Sequence, residues 1–348
     1  MQRRALGSSL VEAMIGITVA LVAVLVIYIA VAGSDKLRRD GLATGDAQQS
    51  ATFILSRLAF DLANAGNGYA MVMFALATCP ASTNVVDSLR PLSIVITDSG
   101  RDDAADSVVI RYAVARNAGA PVLFAASSDA GTPLLLRAPF GFEVGDRVIV
   151  VGRNGTCAAA EVVGVNFPSP GRVEIAHAPA LPPFPQSSWA VNVGATKDTQ
   201  IIRYDVVGAV LRTTDLLGGD APNPLASNVV NLKLQYGIDS DGDGTLDTWT
   251  PARIGPSGDW SAAAVLAAPP ETSRRIKAVR IGLVIRGDFL DRTITDVFRW
   301  TLFDCEAADK STCPGRLTGI IASTSAGGYR YRTYETVVPL RNVIWNGR

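Results

Sequence analysis

The sequence predicts an α+β protein, with one long amino-terminal helix packed on a head built from an antiparallel-rich β-sheet. Three observations carry that expectation. Leu10 to Ala32 is an apolar run with one side chain charged at neutral pH, Glu12. The run passes into a stretch of helical periodicity that stops at Asn64-Ala65-Gly66-Asn67-Gly68. Beyond it, short valine- and isoleucine-rich segments alternate with Gly, Pro, Asp and Asn turns.

Residues 8–33 form the first element, long enough as a helix to cross a hydrocarbon core of about 30 Å. A cleaved secretory signal fits poorly, because its apolar region is about 7–15 residues long and ends at a small-residue cleavage site. Here the nearest candidate is Val31-Ala32-Gly33-Ser34. Arg3 and Arg4 orient such an anchor with its amino terminus in the cytoplasm. Glu12 is the oddity, since a carboxylate inside a spanning segment costs roughly 2.5–3.5 kcal/mol and calls for a partner.

Residues 34–66 continue the helix in amphipathic form. Ala51, Ile54, Leu55, Leu58, Leu62 and Ala65 recur at helical spacing, with Gln48, Gln49, Arg57 and Asp61 on other faces. Leu10 to Ala65 makes a rod of roughly 80 Å at 1.5 Å per residue. Gly41 and Gly45, each about 1 kcal/mol worse than alanine in a helix, mark the expected bend or melted stretch.

Residues 67–348 form the head. Strands are expected at Leu92–Thr97, Ser107–Val114, Arg147–Val151, Arg172–Ala176, Thr199–Val206 and Ala209–Thr213, then at Val229–Ile238, Ile276–Arg286 and Tyr329–Val338. Loops are punctuated at Pro179–Pro185 and Ala267–Pro270. Lys and Arg equal Asp and Glu at 32 each, which argues against a nucleic-acid partner or a polybasic membrane patch. Only 18% of residues are charged, in keeping with a turn-rich extracytoplasmic domain. Four cysteines, an even number, suit an oxidising compartment.

The leader Met1-Gln-Arg-Arg-Ala-Leu-Gly7, followed by Ser8-Ser9-Leu10-Val11-Glu12, resembles the class III signal of type IV pilins and type II secretion pseudopilins. The resemblance implies cleavage after Gly7 by a prepilin peptidase and methylation of the new amino terminus at Ser8, a position where many members carry phenylalanine. It also implies that Glu12 meets a neighbouring subunit's amino terminus during assembly. Arg57-Leu58-Ala59-Phe60-Asp61-Leu62-Ala63-Asn64-Ala65-Gly66, Leu234 to Asp239, Ile276 to Val284 and Val338-Pro339-Leu340-Arg341-Asn342 are similar to the minor pilin family PilW. The stretch 98–198 matches it only loosely. The family implies a pilin-like subunit in the inner membrane of a Gram-negative bacterium, head in the periplasm, that later reaches the cell-surface pilus. Its partners would be other minor and major pilins, and its role would be initiation of assembly and a place near the tip in adhesion or motility. A J-type pseudopilin of the secretion tip complex and a membrane-anchored calcium-binding adhesin are the alternatives.

Asp239-Ser240-Asp241-Gly242-Asp243-Gly244-Thr245-Leu246-Asp247 carries carboxylates at alternating positions with glycines for the turn, the pattern that wraps Ca2+ with oxygens at about 2.3–2.6 Å. An EF-hand would close with glutamate at its twelfth position, where this chain has Thr250. The expected ligands are therefore Asp239, Asp241, Asp243, Asp247 and the Thr245 carbonyl, as in compact extracellular calcium loops. A solvated Asp-Gly turn is the plainer alternative.

Proximity pairs Cys305 with Cys313 and leaves Cys79 for Cys157, although four cysteines allow three pairings and sequence alone does not choose among them. Cysteine pairs at zinc-site spacing are absent. No catalytic residues are expected. The single histidine, His177, ends a strand, and no Gly-x-Ser-x-Gly elbow, Walker A loop or H-E-x-x-H motif accompanies it. Trp189, Trp249, Trp260 and Trp345 are expected mostly in the core.

Overall fold

The structure is a computed structural model describing residues 10–69, 76, 79, 80, 82, 84–90, 92–114, 120–138, 141–290, 297–321 and 328–345. Helix α1 (Leu10–Asn64) is a single rod of 55 residues that continues through Gly41 and Gly45 without a break. It ends where Gly66 takes the left-handed conformation at φ 79° and donates its N–H to the Arg111 carbonyl. Ala47, Ala51, Ile54, Leu58, Leu62 and Ala65 form the buried stripe, at the spacing the sequence predicts.

The sequence predicts one sheet, whereas the head is built on three larger sheets. Against α1 lies a four-stranded antiparallel sheet ordered β13 (Thr248–Pro251), β12 (Val229–Ile238), β16 (Ile276–Leu290) and β19 (Tyr329–Pro339). A five-stranded sheet, β1 (Ile94–Thr97), β2 (Ser107–Ala113), β9 (Thr199–Val207), β10 (Val210–Asp215) and β11 (Asn223–Ser227), shares its core with the helix and the four-stranded sheet. A hairpin of β17 (Phe298–Leu302) and β18 (Leu317–Ile321) packs Trp300 and Leu302 on Val284 and Tyr331.

Two buried polar clusters fix these layers to one another. Asp61, fully buried on α1, accepts a hydrogen bond from the Tyr112 hydroxyl at 2.9 Å and another from the Tyr204 hydroxyl. Arg57, one turn earlier, lies 3.3 Å from the same carboxylate. The helix is thus pinned to β2 and β9 by one carboxylate. Between the sheets, Lys233 on β12 meets Asp106 at 2.8 Å with both side chains 2% exposed, and the Ser99 hydroxyl and Arg101 carbonyl take its remaining donors. Burial pushes the Asp106 carboxyl up, against the pull of Lys233.

The third sheet is an insertion, and the sequence predicts two of its six strands, at Arg147–Val151 and Arg172–Ala176, but not a separate sheet. Strands β3 (Pro121–Leu123), β4 (Leu134–Leu136), β5 (Asp146–Val151), β6 (Cys157–Ser169), β7 (Arg172–Ala178) and β8 (Trp189–Ala195) run in the order β3-β8-β5-β6-β7-β4. Phe124 bridges to Leu136, Ala125 donates to the Leu135 carbonyl and Arg137 to that of Leu123. The last strand therefore meets the first, and the sheet closes into a small barrel filled by Phe124, Leu136, Val150, Val162, Ile175 and Phe184. It enters and leaves through neighbouring strands, since Ala113 of β2 pairs with Thr199 of β9. Ala113 also donates to the Asn67 carbonyl, which places this junction at the end of α1 remote from Leu10. Disulfide Cys79–Cys157 and a small core of Tyr69, Ile149, Val151 and Val193 seat the barrel there.

Candidate functional site

The amino-terminal half of α1 is one candidate. Leu10–Asp35 is a 26-residue stretch of mean hydropathy 2.9, the one described helix long and apolar enough to cross a membrane, and none of it is buried against the rest of the chain. A core helix of a soluble protein would be covered by its own fold, and this one is not. Glu12 lies exposed in the first turn, where a negative charge complements the helix dipole. Gly7 and Ser8 lie outside the described residues.

The acidic loop between β12 and β13 is the second. Its register is fixed by the strands, with Ile238 opposite Thr248. Asp239, Asp241 and Asp247 each bring a carboxylate oxygen within 4.8 Å of the others. Asp239 is buried, and its carboxylate accepts N–H groups from Gly242 at 2.6 Å and Gly244 at 3.0 Å, with Lys277 Nζ 3.3 Å away. Burial pushes this carboxyl up, but the two amides and Lys277 outweigh it and hold it below the usual carboxylate range. Asp247 is held low first by the Ser240 hydroxyl and then by the Ser240 N–H. Asp243 turns instead to Thr245, accepting from its N–H at 2.7 Å and its hydroxyl at 2.6 Å. The loop therefore divides the sequence-derived ligand set, gathering three carboxylates and leaving Asp243 on a turn of its own.

The cysteines form Cys79–Cys157 and Cys305–Cys313. His177 is occupied on both ring nitrogens, each 3.0 Å from a carbonyl oxygen, of Pro179 and Thr132, so it ties two loops of the barrel. Trp260 is buried, Trp189 and Trp249 are half-buried, and the Trp345 side chain lies outside what is described. Trp249 and Phe303 flank the Arg280 guanidinium at 4.9 and 4.4 Å, and Gln235 accepts from it. Burial lowers this guanidinium to about 10. Sequence reading missed this cluster and the Asp61 pin, because their members come from strands far apart in the chain.

No curated protein matches this chain. Among solved structures, it is similar to a type IV-like pilin, TTHA1219 from Thermus thermophilus, at 12% identity and a TM-score of 0.36, over 85% of this chain and 97% of that one. At that score the likeness is too loose to carry weight. Residues 199–342 match the family described as Type IV Pilus-assembly protein W. They begin at the first residue of β9, so the match covers the four-stranded sheet, the β17–β18 hairpin and strands β9 to β11 of the five-stranded sheet, and leaves out α1, β1, β2 and the barrel. From β9 into the final helix, this chain is thus similar to the family described as Type IV Pilus-assembly protein W.

Proposed function

We infer that the chain is a minor pilin, held in the inner membrane by α1, cut after Gly7 by a prepilin peptidase and methylated at Ser8. With other minor and major pilins it primes a type IV pilus and sits near its tip, contributing to adhesion or motility. The observation that carries this reading is the union of the family match with an apolar half-helix that nothing in the head covers. The barrel, at the end of the head remote from that half-helix, supports a terminal position, because a module there is available to a surface outside the filament.

Glu12 is read as the group that meets a neighbour's amino terminus, in surroundings where water and salt screen weakly. The testing experiment is intact-mass measurement of membrane-extracted protein, which should show loss of Met1–Gly7, together with Glu12→Gln. That variant should insert and fold normally yet fail to enter filaments. Normal piliation by Glu12→Gln, or mature protein that still begins at Met1, refutes the reading.

The acidic loop supports a second function for the head, a structural calcium site. The donors fit a hard cation in that Asp239, Asp241 and Asp247 converge through oxygens alone. Lys277 is the competing charge, and a bound ion would take over its role of neutralising Asp239. Affinity in the range of about 10⁻⁴–10⁻³ M suffices outside the cell.

A further inference from the structure

We propose that the end of the head nearest the apolar half-helix is a docking surface for anionic lipid headgroups, holding the anchored chain against its membrane until it is drawn into a filament. This rests on the anchoring read above. Strand β16 runs beside α1 in the opposite direction. Its start lies by the helix end, since Leu340 donates to the Lys277 carbonyl and Asn342 donates to the carbonyls of Ala63, Asn64 and Ala65. Its far end reaches the beginning of the packed helix, where Asp288 and Asp46 line one groove.

The distances bring this end close to a bilayer. Asp46 is eleven residues beyond Asp35, the end of the apolar stretch, or about 17 Å along the helix. Phe289 and Leu290 lie in a bulge that sets four residues of β16 against two of β19, and they continue the strand by about 3 Å in that direction, leaving about 14 Å. Headgroups occupy roughly 5–7 Å of that gap, and the Debye length at physiological salt is about 8 Å, so charges here feel the surface.

The charge balance of the chain argues against a polybasic patch, and the rim is not one: it mixes a few arginines with exposed apolar side chains. Phe289, Leu290, Val297 and Ile320 are 42, 50, 44 and 50% exposed at this one end. Between them stand exposed arginines. Arg299, opposite Ile320 in the β17–β18 hairpin, and Arg332 on β19 line a cleft of about 570 Å³ together with Gln48 of α1. Arg330 and Arg38 are exposed nearby. Among the described side chains the acids here are Asp35, Asp46 and Asp288, the last accepting from Asn228. Apolar side chains interleaved with arginines are what an interface of acyl chains and anionic headgroups selects.

The test uses the full-length chain in vesicles containing phosphatidylglycerol and brominated phosphatidylcholine. All four native cysteines are in disulfides, so Ile320→Cys offers one free thiol for an environment-sensitive fluorophore. Val144→Cys, 67% exposed on the barrel, is the distant control. Flotation checks anchoring separately. The expected result is strong quenching at position 320, little at 144, and loss of the difference in vesicles of zwitterionic lipid alone. Arg299→Gln with Arg332→Gln should lower the docked-to-free ratio, by at most about thirtyfold, the limit set by about 1 kcal/mol per arginine at an anionic surface. A chain that floats with the vesicles but is quenched equally at 320 and 144 overturns the proposal and leaves anchoring intact. So does a docked ratio indifferent to the two arginines. A chain that does not float overturns anchoring and the proposal with it.

Discussion

Replacing Asp61 by alanine should be among the most damaging single changes in the head. The carboxylate is fully buried and serves two phenols and one guanidinium. A hydrogen bond to a charged group contributes about 1.5–3 kcal/mol, and a buried donor left without a partner costs about 1–3 kcal/mol. Arg57 is 43% exposed, so its ion pair adds at most about 1 kcal/mol. Because the two phenols share one acceptor, their losses do not add, and Asp61→Ala should cost about 3–5 kcal/mol. Asp61→Asn, which keeps one acceptor oxygen, should cost about 1–2 kcal/mol. Urea unfolding of the full-length chain in detergent, followed by near-UV circular dichroism, measures both. Tyr112→Phe, Tyr204→Phe and their double variant complete a cycle. The phenols supply a second readout, because burial first, and then the Asp61 charge, push both above the usual tyrosine value. They ionise in the unfolded chain near pH 10 before they do in the fold. The unfolded chain then binds fewer protons, so this stabilisation is whole below about pH 10 and declines as pH rises further. The phenylalanine variants should flatten that alkaline decline. An Asp61→Ala loss no larger than the 0.5 kcal/mol or so of an ordinary surface change would refute the pin.

Loop-closure entropy gives the two disulfides different weights. Cys79→Ser with Cys157→Ser, opening a separation of 78 residues, should lower stability by about 4.5 kcal/mol, against about 2.5 kcal/mol for the pair separated by 8, in the same unfolding assay. Lys233→Met strands the buried Asp106 and should cost about 3–5 kcal/mol, part of which Asp106→Asn restores. Calcium at a hundredfold excess over its dissociation constant should stabilise the head by about 2.7 kcal/mol in thermal melts. Asp241→Ala with Asp247→Ala should abolish that gain and Asp243→Ala should leave it, since Asp243 is committed to Thr245. Loss of the gain in Asp243→Ala would mean that the loop reorganises around the ion.

The long helix and its buried stripe were legible because 3.6-residue periodicity is a local signal, carried by Ile54, Leu58 and Leu62 themselves. Strands such as Val229–Ile238 and the Ile276–Arg286 part of β16 were legible as local signals too, rich in β-branched residues, while the last residues of β16 to Leu290 were not read as strand. Strand β6 was not, for it begins Cys-Ala-Ala-Ala and its outer half is exposed, so neither hydrophobicity nor alternation marks it. Without β6 the barrel cannot be inferred, and the stretch between β2 and β9 reads as loose insertion. The acidic loop announced its carboxylates, but only the fold shows which converge, because Asp243 chose a hydroxyl two residues away. The sequence placed Asp61 on a face of the helix other than the apolar stripe, and its two phenolic partners are 51 and 143 residues distant. Nothing local could have joined them.

The closure of Cys79 onto Cys157 has a mechanical consequence. A pull on the barrel, resisted at the Leu10 end of α1, loads the junction where Ala113 meets Thr199 and would peel β2 from β9 one hydrogen-bonded pair at a time. The disulfide offers a second, covalent route from β6 back to the helix through the 14 residues between Asn64 and Cys79. Fully extended, those residues span about 50 Å. The bond therefore behaves as a leash of that full length, idle at small loads and taut once the sheet has begun to open. It sets the furthest distance the barrel can be dragged before the load passes from hydrogen bonds to the covalent chain.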